Sequence, residues 1–303
     1  MLARIDPQTG RIAWRINTGR RLAGGVGADD TVVIVGTDKG EVLAFDTSGR
    51  RLWQARVSSE VIAPPAASDG MVAVWSGDGR IYGLLATDGS TKWVHQRTNP
   101  ALTLRAHAGG VVSRGGLFSG SAGGKLVALD IYTGTVGWES NVATPKGATE
   151  LERIADVVSR PLVQERRACA VAYQGRLACF DVLRGTLEWS RDISSLAGIA
   201  GDDRQLYITD DRGNVHALDV ATGASVWTQD KLARRWIGGP QLVGDAVGVV
   251  DGEGILHLLD PADGALVGRL ATDGTPATGQ PITAEGATYW QSEGGAVYAV
   301  TTR

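Results

Sequence analysis

One phrase recurs along the chain: glycine, an alternating apolar stretch, aspartate, a short turn ending in glycine, then tryptophan. It reads GEVLAFDTSGRRLW (40–53), GRIYGLLATDGSTKW (79–93) and GKLVALDIYTGTVGW (124–138). It continues as GRLACFDVLRGTLEW (175–189), GNVHALDVATGASVW (213–227) and GILHLLDPADGALVG (254–268). A fragment, ARIDPQTGRIAW (3–14), opens the chain, and half a unit, GAVYAVT (295–301), closes it. The closing positions 14, 53, 93, 138, 189, 227 and 268 are spaced 39, 40, 45, 51, 38 and 41 residues apart. A period near 40 with several short strands per unit is that of a β-propeller built from four-stranded antiparallel blades. Glycine supplies 42 of the 303 residues against 10 prolines, with no low-complexity tract, so it belongs to turns and not to disorder.

Within the third strand of each unit, alternation separates two faces. Two residues before the aspartate stand Ala44, Gly83, Ala128, Cys179, Ala217, Leu258 and Ala299; one residue before it stand Phe45, Leu84, Leu129, Phe180, Leu218, Leu259 and Val300. The small face is expected where a neighbouring blade approaches, and small-against-large packing suits twisted sheets stacked about an axis. The expected fold is all-β, a single propeller domain over residues 1–303. Two blade counts fit the arithmetic. Either seven blades close through the Trp14 strand, or eight are present with the first incomplete. Six of the nine tryptophans close a repeat and are expected to pack blade against blade; Trp75, Trp236 and Trp290 are expected in other strands.

Several chemistries are excluded residue by residue. The net charge of −3 argues against a basic nucleic-acid footprint. No apolar run approaches the ~18 residues of a membrane helix, and Met1 is not followed by a signal core, so any secretion signal is expected outside this chain. Gly123-Gly124-Lys125 is followed by Leu126 and not by Ser or Thr, and Ser119 stands where the first glycine should be, so the phosphate-loop pattern fails. Asp210-Asp211-Arg212-Gly213 reads as a hairpin, not a calcium loop. His95, His107, His216 and His257 have no metal spacing, and the last two share one repeat position, which reads as structural. No metal and no cofactor is expected. Cys169 and Cys179 flank a hairpin at Tyr173-Gln174-Gly175. A two-residue turn puts them on opposite faces and a three-residue turn opposes them directly; buried free thiols are the expected state.

Two segments stretch the period, and loops that interrupt a repeat are where function concentrates. Gln96–Ala108, QRTNPALTLRAHA, carries Leu102, Leu104 and Arg105 in an extended context after Pro100. Asn141–Val158, NVATPKGATELERIADVV, carries a short amphipathic ELERIAD stretch with Glu150, Glu152, Arg153 and Asp156. Both follow a closing strand and precede the next blade, so they share a face on adjacent blades. Leucines, arginines and carboxylates gathered there read as a protein-binding patch: Leu102, Leu104, Arg105, Arg153 and Asp156.

These inserted segments also carry a resemblance. ATELERIADVVSRP (148–161), VAYQGRLACFD (171–181), the WSRDISS run from Trp189, ITDDRGNVHALD (208–219), HLLDPADG (257–264) and the LTLR loop (102–105) resemble the BamB family. BamB proteins are β-propeller lipoproteins of the machinery that inserts β-barrels into the bacterial outer membrane. The resemblance implies an eight-bladed propeller whose first blade is incomplete in this chain. It implies a place on the periplasmic face of the outer membrane, held by an N-terminal lipid absent from this chain. It implies no catalysis and a scaffold role, gripping a periplasmic POTRA module of the BamA insertase, with unfolded outer-membrane proteins as further partners. In the family the grip uses an L-x-L-R loop, here Leu102, Leu104 and Arg105, and a D-V-D loop, here Asp156 with Val158 at the companion position.

Two other functions share the repeat. A quinoprotein dehydrogenase docks pyrroloquinoline quinone and calcium on the same architecture, but uses adjacent cysteines, and this chain has no Cys-Cys pair. A sensor or peptide-capture module would take up extended chains at open sheet edges.

Overall fold

The computed structural model describes residues 1–97, 100, 102–104 and 109–301. Among the described residues the strands form eight antiparallel sheets, each in chain order: six of four strands, one of two and one of three; the four-stranded sheets are blades of a β-propeller. An incomplete first blade is therefore followed by seven further sheets. The chain divides into two compact units, Met1–Asn141 with Pro145–Val158, and Val142–Thr144 with Ser159–Arg303.

The first unit holds sheet 1 (Leu2–Ile5, Ile12–Ile16) and sheet 2 (Leu22–Ala28, Val33–Thr37, Glu41–Phe45, Arg51–Arg56). It continues with sheet 3 (Ala66–Ser68, Met71–Trp75, Arg80–Leu85, Thr91–Gln96) and sheet 4 (Gly110–Ser113, Gly116–Ser121, Lys125–Asp130, Val136–Asn141). The second unit holds sheet 5 (Leu162–Val163, Arg167–Val171, Leu177–Asp181, Leu187–Arg191) and sheet 6 (Ile199–Gly201, Gln205–Thr209, Val215–Asp219, Ser225–Gln229). Sheet 7 (Gln241–Val243, Ala246–Val250, Ile255–Leu259, Leu266–Ala271) and sheet 8 (Ala277–Ala284, Ala287–Ser292, Val297–Val300) complete it.

The core lies between successive sheets. Ile34, Val42 and Trp53 of sheet 2 meet Val72, Val74 and Leu84 of sheet 3, and Tyr207, Val215 and Trp227 of sheet 6 meet Val247, Val249 and Leu259 of sheet 7. The closing tryptophans do the joining. In the first unit the indole N–H of Trp14 donates to the Thr47 carbonyl at 3.0 Å, that of Trp53 to Ala86 at 2.7 Å and that of Trp93 to Ile131 at 2.9 Å. In the second, Trp189 donates to Val220 at 3.1 Å and Trp227 to Pro261 at 2.8 Å. Each ring also covers the turn glycine of the sheet it reaches. A Cβ on Gly89 would lie 2.4 Å from the Trp53 ring, and one on Gly134 2.6 Å from that of Trp93. Both glycines have φ of +74° or +71°, so conformation and space each demand glycine.

The small third-strand face has a nearer cause than an approaching blade. Ala44 pairs with Trp53, Gly83 with Trp93, Cys179 with Trp189 and Ala217 with Trp227, so the small residue makes room for the indole of the next strand in its own sheet. Where Gly268 replaces the tryptophan, its partner is Leu258, and the sizes exchange. The two histidines are structural as expected: Nε2 of His216 sits 2.9 Å from Asp210 and Nε2 of His257 2.8 Å from Asp251, each pairing strand to hairpin.

Two expectations are corrected. Cys169 and Cys179 are not free thiols; they form a disulfide. The hairpin closes through the Ala172–Arg176 pair with Gln174 at φ +48°, a three-residue turn that sets Cys169 opposite Cys179. Trp236 is not in a strand but in the connector between Ser225–Gln229 and Gln241–Val243.

Candidate functional site

The stretched segments flank sheet 4, and apart from Val142–Thr144 their described residues belong to the first unit. The first leaves sheet 3 at Gln96 and reaches Gly110; the second leaves sheet 4 at Asn141. Arg97 starts the first segment and is fastened at once. Its guanidinium donates to Ser121 Oγ at 2.6 Å and pairs with Glu139 at 3.3 Å, while Lys125 reaches the same carboxylate at 2.6 Å. Burial opposes the charge on Glu139, yet the Lys125 hydrogen bond and the Arg97 cation outweigh it and hold the carboxyl below the ordinary glutamate range. His95 lies beside this group with Nε2 buried and without a partner among the described residues. Burial, then Arg97, keeps its imidazole below the usual histidine range, so the ring is neutral at pH 7.

The ELERIAD stretch forms one capped turn and no helix. Thr149 and Glu152 make the reciprocal pair of a capping box: Thr149 Oγ1 accepts the Glu152 N–H at 3.3 Å, and the Glu152 carboxylate accepts the N–H groups of Ala148 and Thr149 at 2.7 and 3.2 Å. The Arg153 side chain folds back on this turn, donating through Nε to the Gly147 carbonyl at 3.0 Å and lying 3.5 Å from Glu150. After the turn the chain dives inward, with Ile154, Ala155, Asp156 and Val157 all buried. Val157 donates its N–H to the Ser121 carbonyl, and its side chain occupies the space a Cβ on Gly120 would need, at 2.3 Å.

Asp156 is the joint between the two segments. Only 2% exposed, its carboxylate accepts the N–H of Leu104 at 2.7 Å through Oδ2 and the N–H of Gly123 at 2.8 Å through Oδ1. One buried side chain thus ties the LTLR loop to the hairpin between the second and third strands of sheet 4. Leu104, half-buried, shares with Asp156, Val158 and His95 the lining of a cleft of about 40 Å³. Leu102 stands out at 39% exposure, and Arg153 is exposed on the neighbouring turn. Arg105 lies outside the described residues. Of the expected patch, the structure joins Leu104 to Asp156 by a direct hydrogen bond, presents Leu102 and Arg153 to solvent, and turns Asp156 away from it. Sequence reasoning missed Gly120 and Gly123, whose roles depend on backbone geometry, and Leu151, 67% exposed at the crest of the capped turn. Its position inside an amphipathic stretch was the available signal.

Such an arrangement offers exposed apolar and cationic side chains on pinned loops, which is the composition of a protein-docking surface. Among the described residues no group of three or more histidine, cysteine, aspartate or glutamate side chains could hold a metal ion.

Comparison with known proteins gives a consistent picture. The family model described as outer membrane protein assembly factor BamB matches residues 1–229 and 221–303. The BamB of Nitrosomonas eutropha is 46% identical over 274 residues, covering 90% of this chain and 67% of the relative. That of Bordetella pertussis is 41% identical over 300 residues, covering 99% and 78%. The crystal structure of BamB from Moraxella catarrhalis superposes with a TM-score of 0.91 at 28% identity over 97% of this chain and 89% of that one. The quinohemoprotein alcohol dehydrogenase of Comamonas testosteroni shares the fold alone, with a TM-score of 0.71 at 14% identity over 95% of this chain and 67% of the enzyme.

Proposed function

The chain belongs to the BamB family of outer membrane protein assembly factors, non-enzymic subunits of outer-membrane assembly, and from that premise we propose that it grips a periplasmic POTRA module of the BamA insertase. The grip lies on the two connectors that flank sheet 4. Leu102 is the apolar anchor, Arg105 and Arg153 supply cations for carboxylates on the partner, and the half-buried Leu104 sets the floor. Asp156 acts inside the surface: its carboxylate fixes the backbone at Leu104 before the partner arrives. Pre-ordering matters because each side chain or loop immobilised on association subtracts from affinity. The direct contact between Asp156 and Leu104 carries this reading, since it makes one surface of two segments 52 residues apart. A lipid anchor preceding this chain would hold the protein at the periplasmic leaflet of the outer membrane.

The test is a calorimetric titration of the purified chain against the soluble POTRA array of a cognate BamA. Saturable binding is expected, weakened by at least about 1.5 kcal/mol in Arg105→Glu, as for a lost charge-assisted bond. Leu102→Ala is expected to weaken it as well. Binding indifferent to both changes would move the site elsewhere, and absence of binding by an intact fold would refute the assignment.

A further inference from the structure

The second unit carries a second prepared surface, on the connector from Asp230 to Pro240. Leu232 and Ile237 bury themselves against Trp227 and Val249. Between them Arg235 turns inward and is pinned. Its guanidinium reaches Asp251 through Nε at 2.8 Å and Nη2 at 2.7 Å, Nη2 also meets Glu253 at 2.9 Å, and its carbonyl accepts the Gly252 N–H at 2.9 Å. Asp251 is itself fully buried; burial opposes its charge, but the hydrogen bond from His257 and those from Ile255 and Arg235 keep the carboxyl below its ordinary range. On the other side the Arg234 N–H bonds the Arg212 carbonyl at 3.4 Å.

The residues flanking Arg235 face outward from left-handed backbone. Arg234 has φ +67° and Trp236 φ +56°, a region unfavourable to any residue with a Cβ. Trp236 is 88% exposed, in a protein whose closing tryptophans Trp53, Trp93, Trp189 and Trp227 are all buried. Beside it opens a cleft of about 730 Å³ lined by Leu196, Arg212, Arg234, Trp236 and Ile237, with Asp210 and Asp211 at its wall. Asp210, its side chain largely buried, is hydrogen-bonded to His216, and Asp211 accepts a hydrogen bond from the Ser194 hydroxyl. Arg212 and Arg234 are exposed, and among the described residues no ion pair joins either guanidinium to a carboxylate.

We propose that this cleft docks an acidic segment of a second protein partner, one apolar side chain seated on Trp236 and Leu196 and flanking carboxylates reaching Arg212 and Arg234. Strained backbone held from two sides keeps the indole displayed, and tryptophan and arginine are the residue types that dominate binding energy at interfaces. The two uncommitted cations select acidic chemistry. A flat anionic membrane is the poorer occupant, because the site is concave. The proposal stands apart from the POTRA grip, since every residue it uses lies in the second unit.

The experiment measures fluorescence anisotropy of a labelled dodecapeptide, a central Phe-Leu flanked by aspartates and glutamates, against the full chain. A lysine-flanked counterpart and phosphatidylglycerol vesicles are run alongside. Saturable binding of the acidic peptide is expected, weakened about tenfold or more by Trp236→Ala. The double change Arg212→Glu with Arg234→Glu is expected to abolish it and turn preference to the lysine peptide. Trp236→Gly removes the indole while relaxing the left-handed backbone, so binding should be lost with thermal stability kept or raised. Overturning results are no saturation by the acidic peptide, binding untouched by these changes, a stability loss in Trp236→Gly, or Trp236-dependent binding to vesicles in place of peptide.

Discussion

Replacing Asp156 by asparagine tests how the LTLR loop is held. The wild-type carboxylate receives two backbone N–H groups, from Leu104 at 2.7 Å and Gly123 at 2.8 Å, at a site 2% exposed. Asparagine retains one acceptor oxygen and places an NH₂ group against the other donor, so one charge-assisted bond is lost and one N–H is left buried without an acceptor. A hydrogen bond to a charged group contributes about 1.5–3 kcal/mol net. If the cost is taken locally, by release of the loop, amide exchange at Leu104 or Gly123 should accelerate on the order of 10- to 100-fold, at about 1.4 kcal/mol per decade. Asp156→Ala removes both acceptors and should accelerate both amides. The assay is native-state hydrogen exchange resolved to single amides, with the strand Gly116–Ser121 as internal reference. Unchanged exchange at both amides in Asp156→Asn would refute the pin. Equal acceleration throughout sheet 4 would show that Asp156 supports the blade as a whole and not the loop.

Three further outcomes follow from the same geometry. Gly89→Ala places a methyl group 2.4 Å from the Trp53 ring at φ +74°, whereas Gly10→Ala, at φ +68°, meets nothing within 4 Å; urea unfolding should show strain of about 1–3 kcal/mol in both and about 1–3 kcal/mol more from overpacking at Gly89 alone. Reducing the Cys169–Cys179 disulfide, which spans a separation of 10 residues, should lower stability by about 3 kcal/mol on the chain-entropy estimate, read as a shift in urea midpoint with and without reductant. The carboxyls of Asp210 and Asp251 sit below their ordinary value despite burial, through hydrogen bonds led by His216 and His257 respectively. Their contribution is therefore complete above the unfolded-state value near pH 4 and is lost as pH falls through the lower folded-state values; the urea midpoint should hold from these groups between pH 7 and 5 and drop below about pH 4.

The blades were legible because their signals are local and repeated. Glycine at the turn and tryptophan at the close recur every 38 to 51 residues, and the contact they make is the one that seats each indole on the next sheet. The small-residue slot was also visible, but its cause was not, because cross-strand register is needed to see Ala44 face Trp53. Turn length hid the disulfide: a non-glycine residue, Gln174, takes the left-handed position, and nothing in its side chain announces it. The role of Asp156 was invisible for another reason. Its partners are backbone N–H groups 33 and 52 residues away, and a backbone donor leaves no mark on the amino-acid pattern. Trp236 read as a strand residue because an isolated tryptophan carries no periodicity to contradict that.

The two prepared surfaces solve one physical problem in the same way. A connector between blades has no ladder of its own to order it, so its backbone must be satisfied by neighbours. In each unit a charged side chain in a connector bonds the backbone or side chains beside it: Asp156 takes the N–H groups of Leu104 in the other stretched segment and of Gly123 in a strand hairpin, and Arg235 takes Asp251 and Glu253 of a strand hairpin. The exposed neighbours, Arg153 in one and Arg234 with Trp236 in the other, are then held out without contributing to the core. Binding surface and blade stability are thereby separable. Arg235→Met keeps the aliphatic stem and removes the pin, so it should leave the Asp251 and Glu253 carboxylates without that cation and loosen the display of Trp236. Native-state hydrogen exchange resolved to single sites should then accelerate at the Arg234 and Gly252 N–H groups that hold the connector, and the acidic dodecapeptide should bind more weakly, while the indole N–H of Trp227, bonded to the Pro261 carbonyl, stays protected. Exchange that accelerates equally at the Trp227 indole N–H would mean that the connector is part of the blade's own support, and the separation would fail.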